Sequence, residues 1–447
     1  MTPTSPGTGA VADRVYARIT RRLVPFLFVC YAAAYLDRVN VGFAKLQLQD
    51  DLAFSDTVYG IGAGIFFVGY IVFEVPSNLL LHKVGAKWWI ARIMVTWALI
   101  SGATAFTNSA TMFYILRFLL GVAEAGFIPG ILLYLTYWFP AQRRGRVTAI
   151  FLAAIPVATI VGGPLSGWIL TAFDEVAGLG GWQWMFLIEA VPSLVLGLLV
   201  LRWLDNTVDD ARWLSAEEKA VVHADLAAEE AAREGGHGSI RDALTSARVW
   251  LLCGIYFTIA LGIYLVSFWL PTIIKNSGVD DPLTIGLLTA VPYVVAVVSM
   301  VAWSSHGDRT GERRWHTLIP CLVTALGLVL TAVFLQNTAL AVGAMVLVAA
   351  GVSTAQAAFW SIPSALLSGA GAAAGIALVN SIGNIGGAVA TSLVGWLSDL
   401  TGSTASSLYP FGAVLLVGGL LVLLVPRSVD DRAGAARTPG EDLPSPR

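Results

Sequence analysis

Residues 23–44 read LVPFLFVCYAAAYLDRVNVGFA, an apolar run interrupted by two adjacent charges, Asp37 and Arg38. About 20 mostly apolar residues of α-helix cross the hydrocarbon core of a membrane, so this run predicts a membrane span. The rest of the chain contains further runs of the same kind. The twelve predicted spans are 23–44, 58–81, 88–107, 112–138, 147–171, 183–203, 249–271, 284–304, 316–336, 339–365, 373–399 and 405–426.

The composition excludes a soluble globular protein. The 447 residues are 56% hydrophobic and 13% charged, and their mean hydropathy is +0.74. Cys30, Cys253 and Cys321 lie in apolar runs at unrelated spacings, which argues against a disulfide framework or a metal cluster. The N-terminus has no short apolar core followed by a cleavage site, so we expect no cleaved signal peptide.

The basic residues predict the orientation. Short cytoplasmic loops retain Lys and Arg, and all of these residues except Arg38, Lys45, Arg117 and Lys275 lie in segments that are cytoplasmic if the N-terminus is inside. Both termini are therefore predicted to be cytoplasmic. The predicted parts are an N-terminal segment (1–22), a six-helix bundle (23–203), a linker (204–248), a second six-helix bundle (249–426) and a disordered tail (427–447).

Two local patterns refine this organisation. In the linker, Ser215 and Glu218 have capping-box spacing, which predicts a surface helix that ends at Gly235 and Gly236. Residues 149–168, AIFLAAIPVATIVGGPLSGW, align at an offset of 228 with ALVNSIGNIGGAVATSLVGW. The alignment predicts a duplicated six-helix unit, and it matches Ala149, Leu165, Gly167 and Trp168 with Ala377, Leu393, Gly395 and Trp396.

Six ionisable residues are candidates for positions in the middle of the membrane, where charge is costly and usually functional. They are Asp37, Arg38, Glu74, Arg117, Glu124 and Glu189. Arg117 and Glu124 share a helix face because they are seven residues apart. Glu74 and Glu189 lie near predicted span ends, beside Pro76 and Pro192, and we assign them structural roles.

Adjacent Asp37 and Arg38 point about 100° apart on a helix, so they cannot serve the same spot. We expect Arg38 to face a central cavity and hold a substrate carboxylate through its two-point fork. Asp37 would face a neighbouring helix and change its protonation state, while Glu124 would compete with substrate for the arginines. The alternative, in which these charges only lock helices together, stays open.

Several stretches carry a family resemblance that covers about residues 20–427. WSSHGDRTGERR (303–314) resembles the basic loop of the major facilitator superfamily. YLDRVNVGFA (35–44), GYIVFEVPSNLLLHKVGAK (69–87), LRFLLGVAEAGFIPG (116–130) and LYLTYWFP (133–140) resemble its anion:cation symporter branch. The resemblance implies an all-α membrane fold of two pseudo-symmetric six-helix bundles. His82 stands where the first-half loop often has Asp, so we expect Asp308, Arg309 and Arg313 of the second-half loop to hold the cytoplasmic side closed.

The resemblance also implies site residues. Positions matching Asp37 and Glu124 carry protons in such symporters, and those matching Arg38 and Arg117 bind the anion or hold the acids. In sugar-acid members, positions matching Tyr35, Tyr70, Trp360 and Asn380 contact substrate, although single aromatic residues in membrane helices are more often packing. Gln356 and Asn384 are further polar candidates; for Asn384, helix packing at Gly383 and Gly387 is the stronger explanation.

The substrate expectation rests on one departure from the sugar-acid members. Ile155 stands where they tend to have Gln, which favours a tartrate-like dicarboxylate or an aromatic acid.

The sequence favours a transporter over two other function classes. An enzyme is disfavoured because the chain has no HExxH, GxSxG or comparable nucleophile motif, and a sensor is disfavoured because it has no large signalling domain. We predict a proton-coupled symporter of an organic anion in the bacterial inner membrane, which works by alternating access as a monomer. Protons are the coupling ion, and neither a cofactor, a metal nor nucleic acid is expected. An exchanger or a uniporter remains the alternative.

Overall fold

The computed structural model describes residues 6–233, 245–366 and 370–426. Every regular element in these ranges is helical. The α-helices are α1 (Pro6–Val39), α2 (Val41–Leu52), α3 (Asp56–Val84), α4 (Ala86–Ala103), α5 (Ala110–Glu124), α6 (Phe127–Thr136), α7 (Ala141–Leu152), α8 (Ala154–Ala172), α9 (Gly181–Trp203), α10 (Ala216–Arg233), α11 (Ala247–Asn276), α12 (Pro282–Thr310), α13 (Arg314–Val333), α14 (Thr338–Phe359), α15 (Ser361–Leu366), α16 (Ala370–Thr401) and α17 (Thr404–Leu421).

The predicted twelve-span membrane fold is confirmed. Among the described residues, twelve helical segments are long and apolar enough to cross a membrane, and each overlaps one predicted span. The protein is therefore a multi-pass membrane protein. The first span is longer than predicted, Val11–Leu52 rather than 23–44, because its helix continues beyond the apolar run through the arginine-rich segment before Leu23.

Four of the twelve spans consist of two helices with a break between them. The breaks fall at Asn40, at Ala125–Gly126, at Ala153 and at Trp360. At Gly126 the backbone is left-handed, with φ of 86°, and a Cβ atom there would lie 2.8 Å from the Ser77 Cβ atom of α3. Only glycine adopts this conformation without strain and also allows α3 to approach so closely.

The described residues form two compact units. Unit 1 comprises those of Met1–Ala53 and Ile65–Gly236, and unit 2 those of Phe54–Gly64 and His237–Arg447. The division differs from the predicted 23–203 and 249–426 at two places. The first turns of α3 belong to unit 2, where Gly60 lies against Gly395 of α16.

The second difference is the linker helix α10, which belongs to unit 1. Its predicted capping box is confirmed, since the Ser215 N–H donates to Glu218 Oε2 at 2.9 Å and the Glu218 N–H donates to Ser215 Oγ at 3.2 Å. Tyr16 of α1 donates to Asp225 at 2.9 Å, and Arg144 of α7 pairs with Glu229 at 3.0 Å. The predicted helix end at Gly235–Gly236 and the tail 427–447 lie outside the described residues.

Features of the proposed duplication recur at matching positions of the two units. Trp168 and Trp396 are 48% and 51% exposed, which is unusual for such large apolar side chains except at a lipid-facing surface. In the two short loops that resemble each other, Gly85 and Gly311 both adopt positive φ, at 92° and 73°. The loops after the second and the eighth spans therefore both contain a glycine with a positive φ angle.

Candidate functional site

An ion pair between Arg38 of α1 and Glu124 of α5 forms the centre of the candidate site in unit 1. Arg38 is 7% exposed and Glu124 is 2% exposed, so both charges are removed from water. Such a pair is stable only when each charge has its partner, and removing one member leaves a costly uncompensated charge. The sequence placed these residues on separate helices, and the structure brings their charged groups together.

Aromatic rings surround the Arg38 guanidinium. Its Cζ atom lies 5.8 Å from the ring centroid of Tyr35, 5.7 Å from that of Phe66 and 5.6 Å from that of Tyr70. These distances allow cation–π attraction between the guanidinium group and the rings, in addition to the ion pair with Glu124. Tyr35 and Tyr70, both predicted as substrate contacts, therefore lie beside the predicted carboxylate clamp.

Phe66 joins the two arginines of the site. The Arg117 Cζ atom lies 5.2 Å from the Phe66 centroid, so guanidinium groups from α1 and α5 flank one ring of α3. Arg117 is 1% exposed and lies two turns before Glu124 on α5. Sequence reasoning missed Phe66, because a phenylalanine in an apolar span carries no signal that separates a site residue from ordinary packing.

The break after α5 fixes the position of Glu124. Glu124 is the last residue of α5, and Ala125 has an extended backbone with ψ of 128° before α6 begins. The carboxyl group thus projects from a helix end inside a membrane span, where irregular backbone is tolerated only in a protein interior or at a cavity. The sequence GVAEAGFIP contained the signal for this break in its Gly126 and Pro129.

Glu74 is a second acid on the Arg38 side of the site. It follows Tyr70 by one turn of α3, is half-buried, and interacts electrostatically with Arg38. The sequence analysis assigned it a structural role because of its predicted place near a span end. Its position beside the clamp gives Arg38 two acidic neighbours, and the structural role stays a prediction.

Asp37 lies in a different environment from Arg38, as the 100° separation predicts. It is fully buried, and its carboxylate accepts hydrogen bonds from Ser193 of α9 at 2.5 Å and from Ser101 of α4 at 3.1 Å. Hydroxyl groups satisfy the carboxylate without supplying a positive charge. Asp37 is thus held among α1, α4 and α9 of unit 1.

Glu189 accompanies Asp37, which the sequence analysis did not anticipate. It is 1% exposed, accepts a hydrogen bond from Ser166 of α8 at 2.7 Å, and interacts electrostatically with Asp37 and with the amide of Asn40. Two carboxyl groups are therefore buried together in the interior of unit 1. The proximity of Glu189 to Asp37 depends on how α9 is rotated about its axis relative to α1, which the sequence does not specify.

Ile155 packs against a cluster that contains Tyr35, one of the rings beside Arg38. The buried members of this cluster are Tyr35, Val39 and Ala158. Ile155, on which the substrate expectation rests, is thus an apolar contact of the cluster that contains Tyr35, a predicted substrate residue.

Unit 2 contains a separate aromatic cluster around Tyr256 of α11. The Tyr256 ring stacks on Phe359 at 5.1 Å and lies 4.8 Å from Trp360, while Gln356 donates to the Tyr256 hydroxyl at 3.4 Å. Gly383 of α16 packs against the same ring. Sequence reasoning identified Gln356 and Trp360 and missed Tyr256.

The two predicted asparagines lie on α16. Asn380 is half-buried and precedes Gly383 by one turn, which places it on the helix face that meets the Tyr256 ring. Asn384 accepts a hydrogen bond from Tyr264 at 3.1 Å. This bond gives Asn384 a polar partner in addition to the glycine packing expected there.

The predicted cytoplasmic gate residues belong mainly to helices. Asp308 and Arg309 lie in the last turn of α12, which extends to Thr310, whereas the predicted span ended at 304. Arg313 donates to the Ser361 carbonyl at 3.1 Å and so ties the start of α13 to α15. The side chain of Asp308 lies outside the described part of the structure, and the gating role stays a prediction.

No group of three or more His, Cys, Asp and Glu side chains within residues 6–233, 245–366 and 370–426 is arranged to hold a metal ion. The three cysteines are buried and free. The candidate site of unit 1 contains two guanidinium groups and aromatic surfaces that can bind an anion. Its carboxyl groups can exchange protons or ion-pair partners.

Comparison with known proteins identifies the family. The Major Facilitator Superfamily model matches residues 27–391 and 281–445. The chain is 50% identical over 418 residues to the "Putative metabolite transport protein NicT" of Pseudomonas putida, covering 94% of this chain and 96% of that protein. It is 49% identical over 425 residues to a "Putative tartrate transporter" of Agrobacterium vitis, covering 94% and 93%.

A solved structure supports the fold independently. A bacterial homologue of the human lysosomal transporter Spinster, in an inward-facing and unoccupied conformation, is similar with a TM-score of 0.70 at 13% identity, covering 97% of this chain and 98% of that one. With a family model that matches most of its length and relatives at about half identity, the chain belongs to the Major Facilitator Superfamily and is a transporter of that family rather than an enzyme.

Proposed function

We propose that this transporter carries an organic carboxylate together with protons, by alternating access. The observation that carries the proposal is the buried Arg38–Glu124 ion pair within its three aromatic rings. A guanidinium group is the best carboxylate ligand among side chains, and here it is already occupied by a carboxyl group that can take a proton.

The pair suggests how anion and proton movements are linked. A substrate carboxylate that binds to Arg38 displaces Glu124 from this arginine, in a site that contains little water. The displaced carboxylate is then stabilised by a proton, because an unpaired charge is costly there. Linkage requires the reverse as well, so protonation of Glu124 promotes anion binding. Arg117 supports this exchange as a second positive charge, and Asp37 provides a further carboxyl group for proton transfer.

A tartrate-like dicarboxylate or an aromatic acid is the proposed substrate class. The Agrobacterium vitis relative supports the first, and the apolar Ile155 beside Tyr35 disfavours a polyhydroxylated sugar acid. The Tyr256, Phe359 and Trp360 cluster supports the second, since aromatic rings bind well on such surfaces. The bacterial relatives and the distribution of basic residues support a place in the inner membrane with both termini cytoplasmic.

The test is uptake into proteoliposomes. Purified protein is reconstituted without internal substrate, and labelled tartrate, phthalate or hydroxyphenylacetate is supplied with an alkaline interior. A symporter accumulates its substrate above the external concentration, a uniporter only equilibrates it, and an exchanger takes up label only when substrate is preloaded. Uptake that never depends on the pH gradient refutes the proposal.

Two variants locate the coupling. Glu124→Gln keeps the size of the side chain but cannot take up a proton, so it should retain exchange and lose accumulation driven by the pH gradient. Glu218→Gln on the surface helix α10 is the matched control and should behave as the original protein. Accumulation that persists in Glu124→Gln removes Glu124 from the coupling role and leaves Asp37 as the candidate.

A further inference from the structure

A second positively charged site lies outside the candidate transport site, at the N-terminal part of α1. Four arginines and two tryptophans line an open cleft of about 650 Å³, namely Arg14, Arg18, Arg21, Arg22, Trp203 and Trp213. The arginines recur at helical spacing, so they form a stripe along one side of α1. All of these residues belong to unit 1.

The tryptophans hold one arginine in a defined position. The Arg22 Cζ atom lies 5.2 Å from the Trp203 ring and 4.9 Å from the Trp213 ring. The Trp203 indole also donates to the Arg22 carbonyl at 3.1 Å, and the Trp213 indole donates to Asp205 at 2.8 Å. The cleft is thus built from ordered side chains on three segments of the chain.

Positive charge exceeds negative charge in the cleft. Arg18 pairs with Glu218 of α10 at 3.0 Å, and the carboxylate of Asp205 is engaged by an indole. Arg14 and Arg21 are exposed to solvent at its mouth. Several arginines held close together with few acids attract an anion that carries more than one oxygen, and a phosphate group matches the guanidinium fork.

The position of the cleft indicates the source of that phosphate. Trp203 is the last residue of α9 and of its candidate membrane span, while Arg21 and Arg22 directly precede the apolar run of the first span. The cleft therefore lies at the level where lipid headgroups meet water.

Lipid-facing apolar surface adjoins the cleft. Phe26 stacks on Trp203 at 5.8 Å, and Val29 and Leu199, each about one turn further into the membrane, are exposed. A free phosphate ion would leave this surface unused, whereas the acyl chains of a phospholipid would cover it.

We propose that this cleft binds the headgroup of an anionic phospholipid, with the acyl chains lying along the exposed apolar residues of α1 and α9. Basic pockets between membrane helices are suited to such headgroups, because each Arg near the surface adds to the attraction. Occupation by lipid would tie α1, the end of α9 and the linker helix α10 together, since Arg18 connects the cleft to Glu218. The proposal is independent of which substrate the protein carries.

The test compares lipids on the purified full-length protein in neutral detergent after delipidation. Dioleoyl-phosphatidylglycerol should raise the melting temperature, whereas dioleoyl-phosphatidylcholine and inorganic phosphate at the same concentration should raise it little. Arg14→Gln/Arg21→Gln should need about 10- to 30-fold more phosphatidylglycerol for the same shift. The control Lys83→Gln/Arg146→Gln also removes two exposed basic side chains from outside the cleft and should respond like the original protein.

Two results overturn the proposal. One is an equal loss of lipid response in the control, which would mean that overall charge is responsible. The other is inorganic phosphate that stabilises the protein as well as phosphatidylglycerol does, which would make the cleft a site for a soluble anion. If the double variant does not insert, Arg21→Gln alone is compared in the same way, and a loss of about fivefold is expected.

Discussion

Replacing Arg38 by lysine tests the assignment of the carboxylate clamp. Lysine keeps the positive charge that Glu124 requires, so the buried ion pair survives in some form. It loses the planar fork and therefore one of two charge-assisted hydrogen bonds to a substrate carboxylate, each worth about 1.5–3 kcal/mol. Since 1.4 kcal/mol corresponds to a factor of ten, the affinity for substrate should fall by about 10- to 150-fold.

The rings of Tyr35, Phe66 and Tyr70, at 5.6–5.8 Å from the guanidinium carbon, add to this expectation, because a compact and strongly hydrated ammonium group does not reproduce the contacts of a planar guanidinium. The assay is substrate exchange in proteoliposomes as a function of external concentration. Arg92→Lys is a suitable control, since Arg92 also lies over a ring, that of Trp89 at 3.9 Å, on another helix of unit 1. An Arg38→Lys protein whose apparent affinity stays within threefold of the original would refute the two-point clamp.

Three further changes probe other parts of unit 1. Gly126→Ala should lower the melting temperature and uptake together, because the left-handed backbone costs an alanine about 1–2 kcal/mol and its Cβ would press on Ser77; unchanged unfolding would contradict a strict need for glycine at the break. Glu189→Ala should destabilise the protein by about 1–3 kcal/mol more than Glu189→Gln, since glutamine still accepts from Ser166, and equal unfolding midpoints would argue against that hydrogen bond. The Ser215 N–H and an arginine of α1 hold the pKa of Glu218 below its usual value, so its contribution to stability is present at neutral pH and is lost as the pH falls through that lowered pKa. In thermal unfolding between pH 5 and pH 3, Glu218→Gln should remove this part of the pH dependence, which amounts to less than about 1 kcal/mol for a pair this exposed.

The membrane spans could be predicted because a single property, sustained apolar length, determines them. The breaks within the spans were harder to predict. Alanine is the best helix former and tryptophan is tolerated in helices, so neither residue marks the breaks at Ala153 and Trp360, and the single asparagine at Asn40 is a weak signal by itself. At Ala125–Gly126, by contrast, the glycine was a readable signal.

For the candidate site, the sequence identified the charges and the structure supplied their partners. Arg38 and Glu124 are far apart in the chain, and the charge pattern predicts that Glu124 interacts with the arginines without deciding between Arg38 and Arg117. The pairing of Asp37 with hydroxyl groups and its proximity to Glu189 likewise depend on helix rotation. A rotation of α1 by one residue, about 100°, would bring Asp37 into the environment of Arg38 and turn Arg38 away from it.

The attachment of α10 to unit 1 has a consequence for dividing the gene. Dividing the chain at the predicted end of the first bundle, residue 203, would give two fragments of six membrane spans each for coexpression. Such a cut would separate the first fragment from α10. The fragment would then lack Glu218 and Glu229, which pair with Arg18 and Arg144, and Asp225, which accepts a hydrogen bond from Tyr16. A first fragment that runs through Arg233 keeps these contacts within one chain, so complementation should be more efficient with a junction between Arg233 and Ala247 than with one at 203.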